Sequence, residues 1–259
     1  MTIQEEIQIH EESLRPEETP QTDTHEMDET LERDVRAVLT DDPAAIAREV
    51  RSLTLRALSE GTLDQGAVLQ VVRAVVAGAS SGAQGASDGQ RALREALQGL
   101  DEALAAAAQA TRLTLEEAIG NAGAFSRQTL RRRLDDLSSL ESLFIETVSQ
   151  TASSAAGFTR TTLVDVADHA RVSGSAVGSA VKEGVTSLGR ALAETVSDQV
   201  EVTTSVLQKE AALLAGLTSG VLQGIADRLS GAHSPVAVEE PGEGQSEGGA
   251  DAQEPPVGS

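Results

Sequence analysis

Cysteine, Trp and Tyr are absent from this 259-residue sequence, and it has only 3 Phe and 2 Met. Without Cys there are no disulfides, no thiolate catalysis and no Cys-based zinc site. Without aromatics the large single blocks of buried area are missing. A core must then be assembled from Leu, Val, Ile and Ala, which suits helix–helix packing better than a thick α/β layer. Proline is missing where it matters most: all 7 lie at or before Pro43 or at or after Pro235. Helix interiors exclude proline at ~3 kcal/mol, whereas strands and turns would rarely avoid it for so long. The expected fold is all-α: an elongated antiparallel bundle of long amphipathic helices with disordered acidic termini.

Positive charge is scarce at both ends. Residues 1–42 carry 14 acids against 3 Arg, and residues 231–259 carry 6 acids and no Lys or Arg, within a net charge of −21. The middle is close to balanced. Such a chain is repelled by nucleic acid and by anionic membranes, so no nucleic-acid partner is expected. The first residues, Met1-Thr2-Ile3-Gln4-Glu5-Glu6, lack the basic and apolar regions of a signal peptide, and a cytoplasmic location is expected. The longest late uncharged run, 211–226, is shorter than the ~20 residues of a spanning helix and contains Thr218, Ser219 and Gln223. No transmembrane segment is predicted.

Five regions follow from composition: a disordered acidic arm over 1–29, short helices over 30–79, a Gly/Ser linker over 80–88, a long-helix bundle over 89–230, and a disordered acidic tail over 231–259. Asp42 before Pro43 reads as a helix N-cap with proline in the first turn. Ile46, Val50, Leu53 and Ala57 then mark one helix face. Thr62-Leu63-Asp64-Gln65 fits a capping box, and Asp88 a further cap. Bends or turns are expected among Gly120, Gly123, Gly157, Gly174, Gly178, Gly184 and Gly189. The segment Ala124-Phe125-Ser126-Arg127-Gln128-Thr129-Leu130 echoes Gly157-Phe158-Thr159-Arg160-Thr161-Thr162-Leu163 at an offset of 33 residues. That is three units of an 11-residue period, which keeps an apolar stripe nearly straight.

No catalytic, metal or cofactor group emerges. Asp165, Asp168, His169 and Ser173 share a predicted helix without a second element to complete a metal set or triad, and read as a solvated face. Arg131-Arg132-Arg133 is the basic cluster, with Asp135 and Asp136 at ion-pairing distance along a helix. Phosphate-binding loops are missing. Gly216, Gly220 and Gly224 form a small-residue stripe that lets helices approach closely. The residues expected to pack helices or mediate self-association are Phe125, Leu134, Leu137, Phe144, Val148, Phe158, Gly216, Gly220 and Gly224.

Small, weakly polar residues crowd positions 147–204, and a buried methyl contributes under ~1 kcal/mol, so helices of this kind open cheaply. The middle of the chain resembles the phasins, through Asp101-Glu102-Ala103-Leu104-Ala105-Ala106-Ala107-Ala108 and Leu140-Glu141-Ser142-Leu143-Phe144-Ile145-Glu146-Thr147-Val148. It is also similar to apolipoprotein-like helices of 11-residue period. The resemblance implies a non-enzymatic protein without cofactors that coats an apolar storage granule or lipid surface. The alternative is an elongated helical scaffold that forms homo-oligomers and recruits another helical protein.

Overall fold

The computed structural model describes residues 21–61, 64–120, 125–195 and 204–231, with no strand among them. The helices are α1 (Gln21–Val38), α2 (Ile46–Glu60), α3 (Gln65–Ala83), α4 (Gly89–Gly120), α5 (Arg127–Ser154), α6 (Gly157–Ser173), α7 (Ala176–Thr195) and α8 (Thr204–Gly231). The all-α reading holds. The terminal stretches 1–20 and 232–259, expected to be disordered, lie outside the described residues.

One helix organises the rest. In α4, Leu93, Leu97, Leu100 and Leu104 are fully buried at spacings of four, three and four, and Ala103 to Ala108 are all buried as well. Six consecutive buried residues cover every face of a helix, so this stretch has neighbours on all sides. Packed against α4 are α2, α3, α5, α6, α7 and α8. Alanine makes that crowding possible, because its methyl lets surrounding helices come close while each still buries apolar area. At ~1.5 Å per residue the helix is about 48 Å long.

Caps fix several boundaries. The Asp64 carboxylate accepts the Ala67 N–H at 2.9 Å and starts α3, and Asp88 accepts the Arg91 N–H at 3.2 Å ahead of α4. The Asp42–Pro43 signal marks a turn rather than the cap itself. Asp42 accepts the Ala44 N–H at 3.0 Å, and α2 begins one turn later at Ile46. Thr62 of the expected capping box lies outside the described residues.

Two boundaries differ from expectation. Helix α1 begins at Gln21, so 21–29 is helical; its Leu31 and Val35, with Leu39 in the turn just past its end, are buried and hold the helix on the bundle. Helix α3 continues to Ala83, through the first half of the expected linker. Its Gly78 and Gly82 lie so close to α1 that a Cβ would stand 2.5 Å from the Glu32 carbonyl oxygen and 2.9 Å from that of Arg36. These glycines serve close helix approach, and only 84–88 is a connection. In the long-helix region the chain folds back at Ala155–Ala156 and only bends at Gly174, whose φ of +84° suits glycine, so α6 and α7 continue in one direction. Gly178, Gly184 and Gly189 lie inside α7.

The pairing is mixed rather than uniformly antiparallel. Helices α1 and α3 run in the same direction, since Gly78 meets Glu32 and Val35 while Gly82 meets Arg36 and Leu39. So do α4 and α7: Asp101 meets Ala176, Arg112 meets Glu183 at 2.6 Å, and Glu116 meets Ser187 at 3.1 Å. Each such pair is separated by intervening helices whose reversals restore the direction. Antiparallel contacts join α5 to α6, where Arg171 donates to Ser149, and α5 to α7, where Ser175 meets Glu141 and Gly184 meets Leu137.

Candidate functional surface

Helix α8 carries two apolar stripes side by side. The inner stripe is Leu214, Thr218, Leu222 and Ala226, all buried. It is held polar-to-polar as well as apolar: the Thr218 hydroxyl donates to the Leu214 carbonyl at 2.9 Å and lies 3.2 Å from the Thr114 hydroxyl of α4. Ser59 of α2 lies 2.8 Å from the Gln223 side-chain oxygen. At the other end, Glu210 crosses to the start of α5. It accepts the Ser126 hydroxyl at 2.7 Å, the Ser126 N–H at 3.0 Å and the Thr129 hydroxyl at 2.7 Å. Burial works against that carboxylate's charge, but the Ser126 and Thr129 hydrogen bonds outweigh it and hold its pKa below the ordinary value. Arg133 adds a bond to the Ala211 carbonyl at 3.0 Å.

The outer stripe is left open. Leu213, Leu217 and Val221 are 62%, 54% and 39% exposed. Interleaved with them, Gly216, Gly220 and Gly224 have nothing among the described residues within 4 Å of where a Cβ would stand. Residues 211–226 contain no charged side chain on any face. The result is an uncharged ridge-and-groove surface facing away from the bundle.

The other predicted packing residues have different fates. Leu137, Phe144 and Val148 are buried in the core of this chain, with Phe125 and Leu134 half-buried against it. All five pack within one molecule. Phe158 remains 41% exposed, with its ring tip beside Gly89. The glycine stripe, expected to pack within the bundle or between protomers, meets no other helix among the described residues. Both halves of the 33-residue echo fall at helix starts, and in each the Thr–Leu pair (Thr129-Leu130 and Thr162-Leu163) is buried.

Asp165, Asp168, His169 and Ser173 all lie on the exposed side of α6, with Asp168 paired to Arg171 at 2.8 Å. In the basic cluster, the expected Arg131–Asp135 and Arg132–Asp136 pairs do not form. Arg133 instead reaches Asp136 at 3.4 Å, because it is the arginine turned toward the bundle. Burial raises the Asp136 pKa above the ordinary carboxylate value, and Arg133 partly offsets it. No group of three or more His, Cys, Asp or Glu able to hold a metal occurs among the described residues. One helix, Gln65–Ala83, is long and apolar enough to cross a membrane, and about half of it is buried against other helices.

One cross-helix cap leaves no trace in the sequence. Asp101, in mid-α4, accepts the Ala176 and Val177 N–H groups at 2.8 and 2.9 Å and so caps the start of α7. Burial raises its pKa, and the two backbone bonds oppose the rise. Nothing local marks this residue, since a carboxylate in mid-helix reads as solvated.

The architecture defines an all-α bundle wound around a buried central helix, with an uncovered apolar ridge on its last described helix. The chain belongs to a family described as a family of unknown function (DUF6781), whose model matches residues 21–231. That span runs from the first residue of α1 to the last of α8. No curated protein and no solved structure matches the chain.

Proposed function

We propose that this protein is a non-enzymatic helical scaffold that self-associates through the outer stripe of α8. The observation that carries the reading is the open glycine row between Leu213, Leu217 and Val221. Glycines at this spacing let a second helix approach backbone to backbone, and the large side chains of one copy fill the grooves over the glycines of the other. An uncharged surface also lets two copies meet there without bringing like charges together.

Coating of an apolar granule or lipid surface is the second reading, favoured by the same exposed leucines. It is the weaker fit. Amphipathic helices that lie on lipid carry large apolar side chains on one face and Lys or Arg on the other. The outer stripe of α8 is half glycine, and 211–226 has no basic residue. The apolar faces around α4 are engaged with one another, so coating through them requires the bundle to open.

Sedimentation equilibrium of the full-length protein tests the proposal. The wild type is expected to show concentration-dependent assembly. Leu217→Asp and Gly220→Leu are each expected to leave a monomer with unchanged helicity. A wild type that stays monomeric at every accessible concentration, or variants that leave the mass unchanged, contradicts self-association. Flotation with lipid vesicles that is abolished by Leu217→Asp, with a monomeric wild type, moves the reading to surface coating.

A further inference from the structure

Away from α8, an open groove of about 460 Å³ lies between α1 and α2 and is floored by Val71 of α3. Its walls follow one pattern. On α1, Met27 and Leu31 stand one turn apart with Asp34 a turn further on; on α2, Leu53 and Ala57 stand one turn apart with Glu60 beyond. Each wall therefore offers apolar side chains at i and i+4 and a carboxylate at i+7. Met27 is 42% exposed, which leaves apolar surface at the mouth uncovered. Four carboxylates line the groove (Glu26, Asp28, Asp34 and Glu60) against one guanidinium, that of Arg56. Glu26, Asp34 and Glu60 are exposed.

We propose that the α1/α2 groove docks a basic amphipathic helix of a partner protein. Seven residues of helix span about 10 Å at ~1.5 Å per residue. Each wall is therefore as long as the anchor set at i, i+4 and i+7 that grooves of this kind receive. Charge selects the occupant. Apolar anchors seat on Leu31, Leu53, Ala57 and Val71, and flanking Lys or Arg meet the rim carboxylates, which guide encounter and exclude acidic competitors. The chain's own arm does not fit that description, since residues 1–20 carry six Glu and one Arg. A second copy brings a net charge of −21. The surface is separate from the α8 stripe, and its occupancy does not depend on self-association.

The probe is a fluorescent Leu/Lys amphipathic peptide of about 18 residues, five turns at ~3.6 residues each, beside its Leu/Glu counterpart. Both are titrated with the full-length protein at physiological salt and followed by anisotropy. The Leu/Lys helix is expected to bind and the Leu/Glu helix is not. A variant carrying Glu26→Lys, Asp34→Lys and Glu60→Lys is expected to bind about tenfold more weakly. A control with the same charge change elsewhere (Asp135→Lys, Glu146→Lys and Asp165→Lys) is expected to bind like the wild type.

A second readout is independent of any variant. The 2 methionines are Met1 and Met27, so methyl-labelled methionine gives one signal in the groove and one reference. The Met27 methyl is expected to shift on titration while Met1 stays. Equal binding of both peptides, binding of neither, equal weakening by both triple variants, or an unmoved Met27 signal in the bound state each overturns the proposal.

Discussion

Replacing glycine by alanine is expected to have opposite signs at two positions, and the structure supplies both magnitudes. At Gly78 the new Cβ would stand 2.5 Å from the Glu32 carbonyl oxygen and 3.1 Å from the Val35 Cβ. A comfortable carbon–oxygen contact is roughly 3.3 Å or more, so α1 and α3 must part by close to an ångström. The obstacle is backbone, which cannot rotate aside, and overpacking of this kind costs about 1–3 kcal/mol. Helix propensity returns ~1 kcal/mol, leaving Gly78→Ala about 2 kcal/mol less stable at the upper end of that range. At Gly220 there is nothing within 4 Å, so only the propensity gain remains and Gly220→Ala is expected to stabilise the monomer by ~1 kcal/mol. Urea unfolding followed by far-ultraviolet circular dichroism, at concentrations too low for assembly, measures both. Stabilisation by Gly78→Ala would show that α1 does not lie on α3 as described. Destabilisation by Gly220→Ala would show that the outer stripe of α8 is already covered within the monomer.

Other outcomes follow from the caps and the central helix. Asp101→Ala leaves the Ala176 and Val177 N–H groups without their acceptor and is expected to cost about 1–2 kcal/mol, with hydrogen exchange accelerating first at the start of α7. The two cross-helix carboxylates should titrate with opposite effect. Glu210 has a lowered pKa, so its stabilisation is present above the ordinary value of 4.5 and is lost as pH falls through its folded pKa. The wild-type advantage over Glu210→Gln should vanish in acid. Asp101 has a pKa raised above 3.8, so its charged form is disfavoured by folding. Asp101→Asn should gain on the wild type as pH rises through that raised value, and the reverse pH slope contradicts the burial argument. Ala108 is fully buried; Ala108→Leu should cost about 1–3 kcal/mol in thermal or urea unfolding, whereas Leu113→Ala, at a half-exposed position of the same helix, should stay within about 0.5 kcal/mol.

Helix content was legible because proline placement is a backbone rule that acts whatever the neighbours. The cap at Asp88 was legible for the same reason, its carboxylate meeting an N–H three residues on; before α3 a cap was legible but its residue was not, since the capping-box spacing points to Thr62 and the cap is Asp64. Helix direction was not, because it depends on which helices intervene. Nor was the role of Asp101, whose partners lie 75 and 76 residues away. The α8 stripes show most clearly where sequence periodicity stops. Leu213-Leu217-Val221 and Leu214-Thr218-Leu222 have the same spacing, and the first is the more apolar. The second is the buried one, with the Thr218 hydroxyl 3.2 Å from that of Thr114 across the interface, and the more apolar stripe is turned outward with the glycines.

Amide hydrogen exchange of the full-length protein, recorded at several protein concentrations, probes both the buried centre of α4 and the open stripe of α8. The slowest exchange is expected in α4 around Ala103 to Ala108, independent of concentration, with protection along residues 213–224 that rises as concentration increases. Fast exchange in that stretch of α4, or protection of α8 that does not change with concentration, contradicts that arrangement.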